Sequence, residues 1–255
     1  MPLTLTPLQN IPIIRRGDNL ADIVLKSFPE TDLELQDNDI LVLAQKIVSK
    51  AEGRAVNLVT VTPSPRAIEL AQQTEKDPRV VELILKESHE ILRTRVGTII
   101  VEHRLGFICA NAGIDHSNVA GTGDADEEWV LLLPEDPDRS CALIRKEIES
   151  ITGKRIGVVI VDSHGRAWRN GTVGVAIGMS GIPSVVDKRG DRDLFGYTLR
   201  VTVIGTADEL AAAASLMMGQ ASEGKPVVHV RGFPYPLGEG TLKDLIRPKE
   251  QDMFR

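Results

Sequence analysis

Residues 155–168 read RIGVVIVDSHGRAW, an apolar run that gives way abruptly to polar residues and a glycine. Residues 156–161 are almost all β-branched, and a run so short and so uniformly apolar fits a strand buried on both faces. Asp162 and Ser163 then stand at the carboxyl end of that strand, where Gly165 permits a turn. Comparable apolar runs recur at residues 40–44, 56–61, 98–101, 129–133, 199–204 and 227–230, so strands are expected along the whole chain. Helices are expected between them. Leu20, Ile23, Val24 and Ser27 repeat at helical spacing, and Cys141, Ile144, Ile148 and Ile151 form a second stripe, opened by Asp136 as cap and Pro137 as first turn. Thr206 with Glu209 has capping-box spacing ahead of ADELAAAASLMM, a helix that Gly219 stops. The strand spacing does not repeat a βαβ unit of constant length. The expected class is therefore α+β, a mixed α/β chain, with neither a Rossmann sheet nor a barrel.

Composition narrows the function. The chain has 255 residues, enough for a sizeable core, and no repeat, low-complexity tract or linker divides it, so residues 1–255 read as one domain. The formal charge is -6 with signs interspersed, which argues against a nucleic-acid surface and for small-molecule partners. Cys109 and Cys141 are too few for a disulfide framework and fit a reducing compartment. The amino-terminal residues carry no signal-peptide pattern, and no apolar run approaches the length of a membrane span. A cytoplasmic protein without a membrane segment is expected.

Four polar segments could carry chemistry. GQASEGK, residues 219–225, has Walker A spacing, but Pro226 stands where Ser or Thr would bind magnesium. Its expected order is also helix, loop, strand, the reverse of a P-loop. What survives is a glycine-flanked turn bearing Gln220, Ser222, Glu223 and Lys225, which either wraps phosphates or a metal or simply ends a helix. Residues 106–129 form a polar stretch containing Asn111, Asp115, His116 and Asn118. There Asp115 is either a hard-cation ligand or a capped turn, and His116 reads as a solvated loop residue. Asp162 is either a metal anchor fixed by its strand or part of an Asp-Ser turn. Should Asp115 and Asp162 meet in space, one metal or two could bridge nucleotide phosphates.

After the strand at residues 40–44 come Gln45, Lys46 and Lys50, whose ammonium groups could offset phosphate charge. Asp187, Lys188, Arg189, Asp191, Arg192 and Asp193 could bind a carboxylate or form an exposed ion-pair network, and the network is the favoured of the two.

Taken together, AQKIVSKAEGR, ANAGIDHSNV, LLPEDPDRS, VVIVDSHGRAWRNGTVGVAIG, DKRGDRDLFGY and ADELAAAASLMMGQASEGKPVVHVRG resemble the coenzyme F420-0:L-glutamate ligase family, over residues 11–232. The resemblance implies a two-lobed fold and a homodimer. It implies a GTP-dependent ligase that adds L-glutamate to the deazaflavin coenzyme F420-0, then further γ-linked glutamate, releasing GDP and phosphate. Mg2+ or Mn2+ would be the divalent ion, with K+ as a further cation. Carried over by position, Asp115, Asp162, Ser163 and Gln220 would bind metal, and the carboxylates Asp115 and Asp162 would bear most directly on turnover. Asn118 would reach the nucleotide, which Met218, Gly219, Gln220, Ala221, Ser222, Glu223, Gly224 and Lys225 would wrap. Gln45, Lys46, Lys50 and the entry segment Ile11, Pro12, Ile13 and Ile14 would complete the site. Ser163 stands where many relatives carry Thr, and both present a hydroxyl. Longer relatives have a nitroreductase-like carboxyl-terminal domain that this chain is expected to lack.

The chemistry such a family performs needs an activated carboxylate, which the γ-phosphoryl group supplies as an acyl phosphate. No side-chain nucleophile is required. Two other classes fit the same residues: a metal-dependent phosphohydrolase, which would need no glutamate, and a nucleotide-binding module without turnover.

Overall fold

The computed structural model describes residues 2–119 and 128–253. In the first half of the chain lie β1 (Thr4–Pro7), α1 (Leu20–Ser27), β2 (Ile40–Ala44), α2 (Gln45–Ala51), β3 (Ala55–Asn57), α3 (Pro65–Thr74) and α4 (Pro78–Lys86). They are followed by β4 (Ser88–Arg95), β5 (Thr98–His103), β6 (Ile108–Ala110), β7 (Trp129–Leu131), α5 (Pro137–Thr152), β8 (Gly157–Arg166) and β9 (Arg169–Ser180). The chain continues through β10 (Val186–Asp187), β11 (Val203–Ile204), α6 (Thr206–Met218), β12 (Val227–Arg231) and α7 (Leu242–Leu245).

The main sheet has the order β1-β12-β2-β8-β9. Within it β2 and β8 run parallel, while the other neighbours pair antiparallel. The alternation of side chains along a strand sends Leu41, Leu43, Val158 and Ile160 into a core shared with α1, α2 and α5. Their neighbours Ile40, Val42, Val159 and Val161 pack on the other face against α6. Both faces are thus covered, which is why these strands read as unbroken apolar runs. A third core joins α3 and α4 to β5 and β7. The class is α+β, as the sequence implies, and a single parallel pair among the described strands makes no Rossmann sheet.

The expected helix caps hold at Asp136, whose carboxylate accepts from the Arg139 amide at 3.0 Å. At α6 the expectation fails. The cap residue is Gly205, and the Thr206 hydroxyl, buried at the helix start, donates instead to the carbonyls of Pro183 and Ser184 at 2.9 and 3.2 Å. Spacing alone cannot show that a distant carbonyl competes for the hydroxyl. The run at 56–61 is strand only to Asn57, whose side chain accepts from the Val59 amide and turns the chain into a short 3-10 helix. Of residues 199–204 only the last two pair as strand.

β9 was not evident in the apolar pattern because Gly171, Gly174 and Gly178 interrupt it. Two of these glycines are packing requirements. A methyl group on Gly174 would strike the Ser215 side chain of α6, and one on Gly178 would strike Pro137 at the start of α5. The strand lies at the sheet edge, and two carboxylates cap its outward amides. Asp208 accepts from Ala176 at 2.9 Å and Asp138 from Met179 at 2.8 Å.

The acidic and basic residues after β10 do form local exposed pairs, Arg189 with Asp187 at 2.5 Å and Lys188 with Asp191 at 3.0 Å. No described helix is long and apolar enough to cross a membrane.

Candidate functional site

β2 ends at Ala44, paired in parallel with Val161, whereas β8 runs on to Arg166. Gln45 at the carboxyl end of β2 therefore follows the pair on one side and Asp162 on the other, mid-strand in β8 and not at the strand end that the apolar run suggested. Ligands of open sheets collect at such ends. Antiparallel β12 begins at the same rim, so the loop from α6 into β12 arrives there too. The result is a cavity of about 730 Å³.

The residues that the family resemblance assigns to the site all line it. Ile11, Pro12, Ile13 and Ile14 line one wall, with Gln45, Lys46 and Lys50 from α2. Asp115 and Asn118 come from the loop after β6, and Asp162 and Ser163 from β8. Met218, Gly219, Gln220, Ala221, Ser222, Glu223, Gly224 and Lys225 close the rim. His116, by contrast, is exposed and outside the lining, as its loop position suggested.

Each side chain is held by its element. Asp115 forms a bridge with Leu131 of β7 through both backbone hydrogen bonds, at 3.0 and 2.9 Å, which fixes its Cα in the cavity wall. Gln45, buried at the first position of α2, donates its Nε2 to Asp115 Oδ2 at 2.7 Å and accepts from Ser49 at 2.9 Å. Lys46 Nζ lies 3.4 Å from Asp115 Oδ1 and also donates to the Ser117 hydroxyl at 2.9 Å. Burial pushes the Asp115 carboxyl up; Lys46 opposes this, the negative charge of Asp162 adds to it, and the net value is about 6. Burial and then the neighbouring Lys46 push the Lys50 ammonium down.

The loop is organised by three polar contacts. Ser163 donates its hydroxyl to Gln220 Oε1 at 2.7 Å, and Gln220 Nε2 donates to Ser215 on α6 at 2.9 Å. Asn118 Nδ2 donates to the Ala221 carbonyl at 3.1 Å, so the loop after β6 reaches the loop before β12. Gly219 has a φ of 75°, and a methyl group there would collide with Glu223, whose carboxylate accepts from the Ala221 amide at 2.8 Å.

These donors suit a hard cation in part only. No group of three His, Cys, Asp or Glu side chains among the described residues could cage a metal by itself. Asp115, Asp162, the Ser163 hydroxyl and the Gln220 carbonyl oxygen instead make an open set of oxygens. Magnesium and manganese commonly use such a set, completing their shell with water and substrate phosphate. The residues fit that ion, provided the Ser163–Gln220 hydrogen bond opens to admit it.

His164 was missed from the sequence. Its Nε2 lies 3.1 Å from Asp162 Oδ2, and its ring packs on Phe107 with centroids 5.1 Å apart; Phe107 in turn stacks on buried His103, again at 5.1 Å. The signal was available in the strand period, since residues 162 and 164 share a face of β8. Ser117, also in the lining, had no distinguishing spacing, whereas Asn111, in the lining too, is among the polar residues that the sequence pointed to.

A model of the F420-0:gamma-glutamyl ligase family matches residues 9–232. The chain is 45% identical over 257 residues to a coenzyme F420:L-glutamate ligase of Methanothermobacter thermautotrophicus, with 100% of each chain covered. It is 46% identical to the enzyme of that name from Methanocaldococcus jannaschii over 247 residues, covering 96% of this chain and 94% of the relative. With the Archaeoglobus fulgidus enzyme the identity is 40% over 255 residues, covering 100% and 97%. Fold, cavity and relatives together define a ligase. The chain belongs to the F420-0:gamma-glutamyl ligase family.

Proposed function

We propose that this ligase joins L-glutamate to coenzyme F420-0 at the expense of GTP, and then adds γ-linked glutamate, releasing GDP and phosphate at each step. The observation that carries the proposal is the meeting of Asp115 and Asp162 beside Lys46 and Lys50, where β2 ends and β8 continues past it. The family and its relatives' names support the glutamate and the deazaflavin; the oxygen donors and lysines support the nucleotide.

In this scheme the acceptor carboxylate of F420-0 attacks the γ-phosphorus, the bond to the β,γ-bridging oxygen breaks, and GDP leaves. The amine of glutamate then attacks the acyl carbon, phosphate leaves, and the amide nitrogen gives up its proton. Asp115, Asp162, Ser163 and Gln220 would hold Mg2+ or Mn2+, with K+ as a further ion, and bound metal supplies charge neutralisation at the phosphates. Lys46 and Lys50 place positive charge where the phosphoryl oxygens accumulate negative charge. Gly219 and the loop to Lys225, with Ile11, Pro12, Ile13, Ile14 and Asn118, wrap the nucleotide and orient it, so that transfer proceeds between positioned groups.

The same proposal includes a homodimer in the cytoplasm. Leu194, Phe195 and Val201, 97%, 95% and 86% exposed, are apolar side chains that a second copy would cover. The buried thiols of Cys109 and Cys141 suit a reducing compartment.

Nucleotide analysis tests the scheme. With GTP, Mn2+, F420-0 and glutamate all present, GDP should accumulate, and omission of either acceptor should suppress it. Steady GTP breakdown without acceptors would contradict the ligase scheme and point to a phosphohydrolase.

A further inference from the structure

His164 also lines a second cavity, of about 240 Å³, beside the larger one. One wall of this second cavity is the edge of β9 at Val175 and Ala176; Phe107, Leu242 and Leu245 supply apolar surface. Its size falls just under the roughly 300–1,000 Å³ of sites for drug-sized ligands and suits a molecule of about ten non-hydrogen atoms.

Asp208, Arg247 and Asp252 bring charge to the lining, and neither Asp208 nor Arg247 has an ion pair with a described residue. Asp208 accepts from the Ala176 amide with Oδ1 at 2.9 Å, but no described side chain gives it a hydrogen bond or ion pair from a cation. Burial accordingly pushes its carboxyl up, with the backbone bond and His164 acting in the opposite direction. Arg247 has neither a hydrogen bond nor an ion pair among the described residues. A half-buried carboxylate and an exposed guanidinium, neither paired with a described residue and both lining one small cavity, complement a zwitterion.

The cavity also stands where a third reactant is needed. The larger cavity, about 730 Å³, is of the size that a nucleotide and the reacting end of its phosphoryl acceptor take up, and the amine must reach that end from beside it. His164, 3.1 Å from Asp162, is the side chain that borders both spaces.

We propose that the smaller cavity binds the free α-amino acid substrate, with its ammonium group on Asp208 and its α-carboxylate on Arg247. The identity of that amino acid as L-glutamate rests on the ligase reading; the zwitterion site rests on the cavity.

Two measurements on the full-length protein separate these. Saturation-transfer NMR with L-glutamate, in the presence of Mg2+ and GDP, reads occupancy without turnover. Signal in the wild type that is lost in Arg247→Ala and in Asp208→Asn supports the site; Asp208→Asn keeps an acceptor for the Ala176 amide, so the strand edge is preserved. No signal in the wild type, equal signal in all three proteins, or displacement of glutamate by inorganic phosphate alone would overturn it. In steady-state ligation, Arg247→Ala should raise the KM for glutamate at least about tenfold, with KM for GTP and Tm unchanged. Arg247→Lys should recover part of the loss. A glutamate KM unchanged in both Arg247→Ala and Asp208→Asn, in an enzyme that still ligates, would overturn the site while leaving the ligase reading intact; absence of ligation by the wild type would overturn the ligase reading itself.

Discussion

Gln45 Nε2 donates to Asp115 Oδ2 at 2.7 Å across a separation of 70 residues, so the first residue of α2 holds a carboxylate that arrives from the loop after β6. The amide leaves Oδ1 facing Lys46 and the cavity. Gln45→Ala should therefore weaken divalent-ion activation by about 10- to 100-fold, the range for loss of a group that orients a metal ligand. Titration of activity against Mn2+ checks this. A shift in the metal requirement, with Tm little changed, is the expected outcome; a fall in Tm with an unaltered metal requirement would assign Gln45 to packing alone.

Asp115 titrates near pH 6 because burial raises its carboxyl more than Lys46 lowers it. A cation must displace the proton below that pH, so divalent affinity should fall by up to about tenfold per unit as the pH drops from 6 to 5. Above about pH 7 it should level off. Calorimetric titration of Mn2+ at several pH values would show the break near 6, and an affinity flat between pH 5 and 7 would remove Asp115 from the metal set.

Acid stability depends on a different pair of carboxylates. Burial raises the Asp39 carboxyl, but the hydrogen bonds from Arg231 and the imidazole of His229, whose Nε2 lies 2.8 Å away, outweigh it and bring it down to about 2. Glu87 is likewise raised by burial and brought down to about 2 by His103, Arg104 and Arg54. A depressed carboxyl stabilises the fold fully above its unfolded pKa and loses that contribution as pH falls through the folded one. The loss should thus run from about pH 4 to 2, at roughly 2 kcal/mol for Asp39. Asp39→Asn should lower stability at pH 7 by about 3 kcal/mol, since Arg231 loses its counter-charge, and should flatten the denaturant midpoint against pH in that window.

Gly174→Ala places a methyl group against Ser215, the residue that holds Gln220. Overpacking of this kind costs about 1–3 kcal/mol. The variant should show a lower Tm together with reduced activity, because α6 can yield only by moving the loop at Gln220. A loss of stability without loss of activity would show that Gln220 needs no support from Ser215.

The sequence shows clearly what is local. β2 is legible to the residue because Ile40, Leu41, Val42 and Leu43 are buried on both faces, and Asp136 is legible as a cap because capping is a property of a few consecutive residues. β9 is hidden because Gly174 and Gly178 answer to Ser215 and Pro137, neighbours that no spacing announces. Thr206 is misread for the same reason, its hydroxyl being taken by carbonyls 22 and 23 residues away. In the site, Asp115, Asp162 and Gln220 stand out singly as polar residues next to apolar runs or helix ends, although β8 continues through Asp162 to Arg166. Their meeting depends on the parallel register of β2 with β8 and on the bridge from Asp115 to Leu131, both of them non-local. His164 was overlooked although its partner lies only two residues away.

Mass spectrometry of the deazaflavin tests the central claim most directly: the purified chain is incubated with GTP, Mn2+ or Mg2+, L-glutamate and F420-0, in parallel with Asp162→Ala. The account predicts mass increments of glutamate that vanish without GTP and vanish in Asp162→Ala, a variant that should remain folded. An unmodified coenzyme from the wild type, or full glutamylation by Asp162→Ala with the same metal requirement, would contradict it.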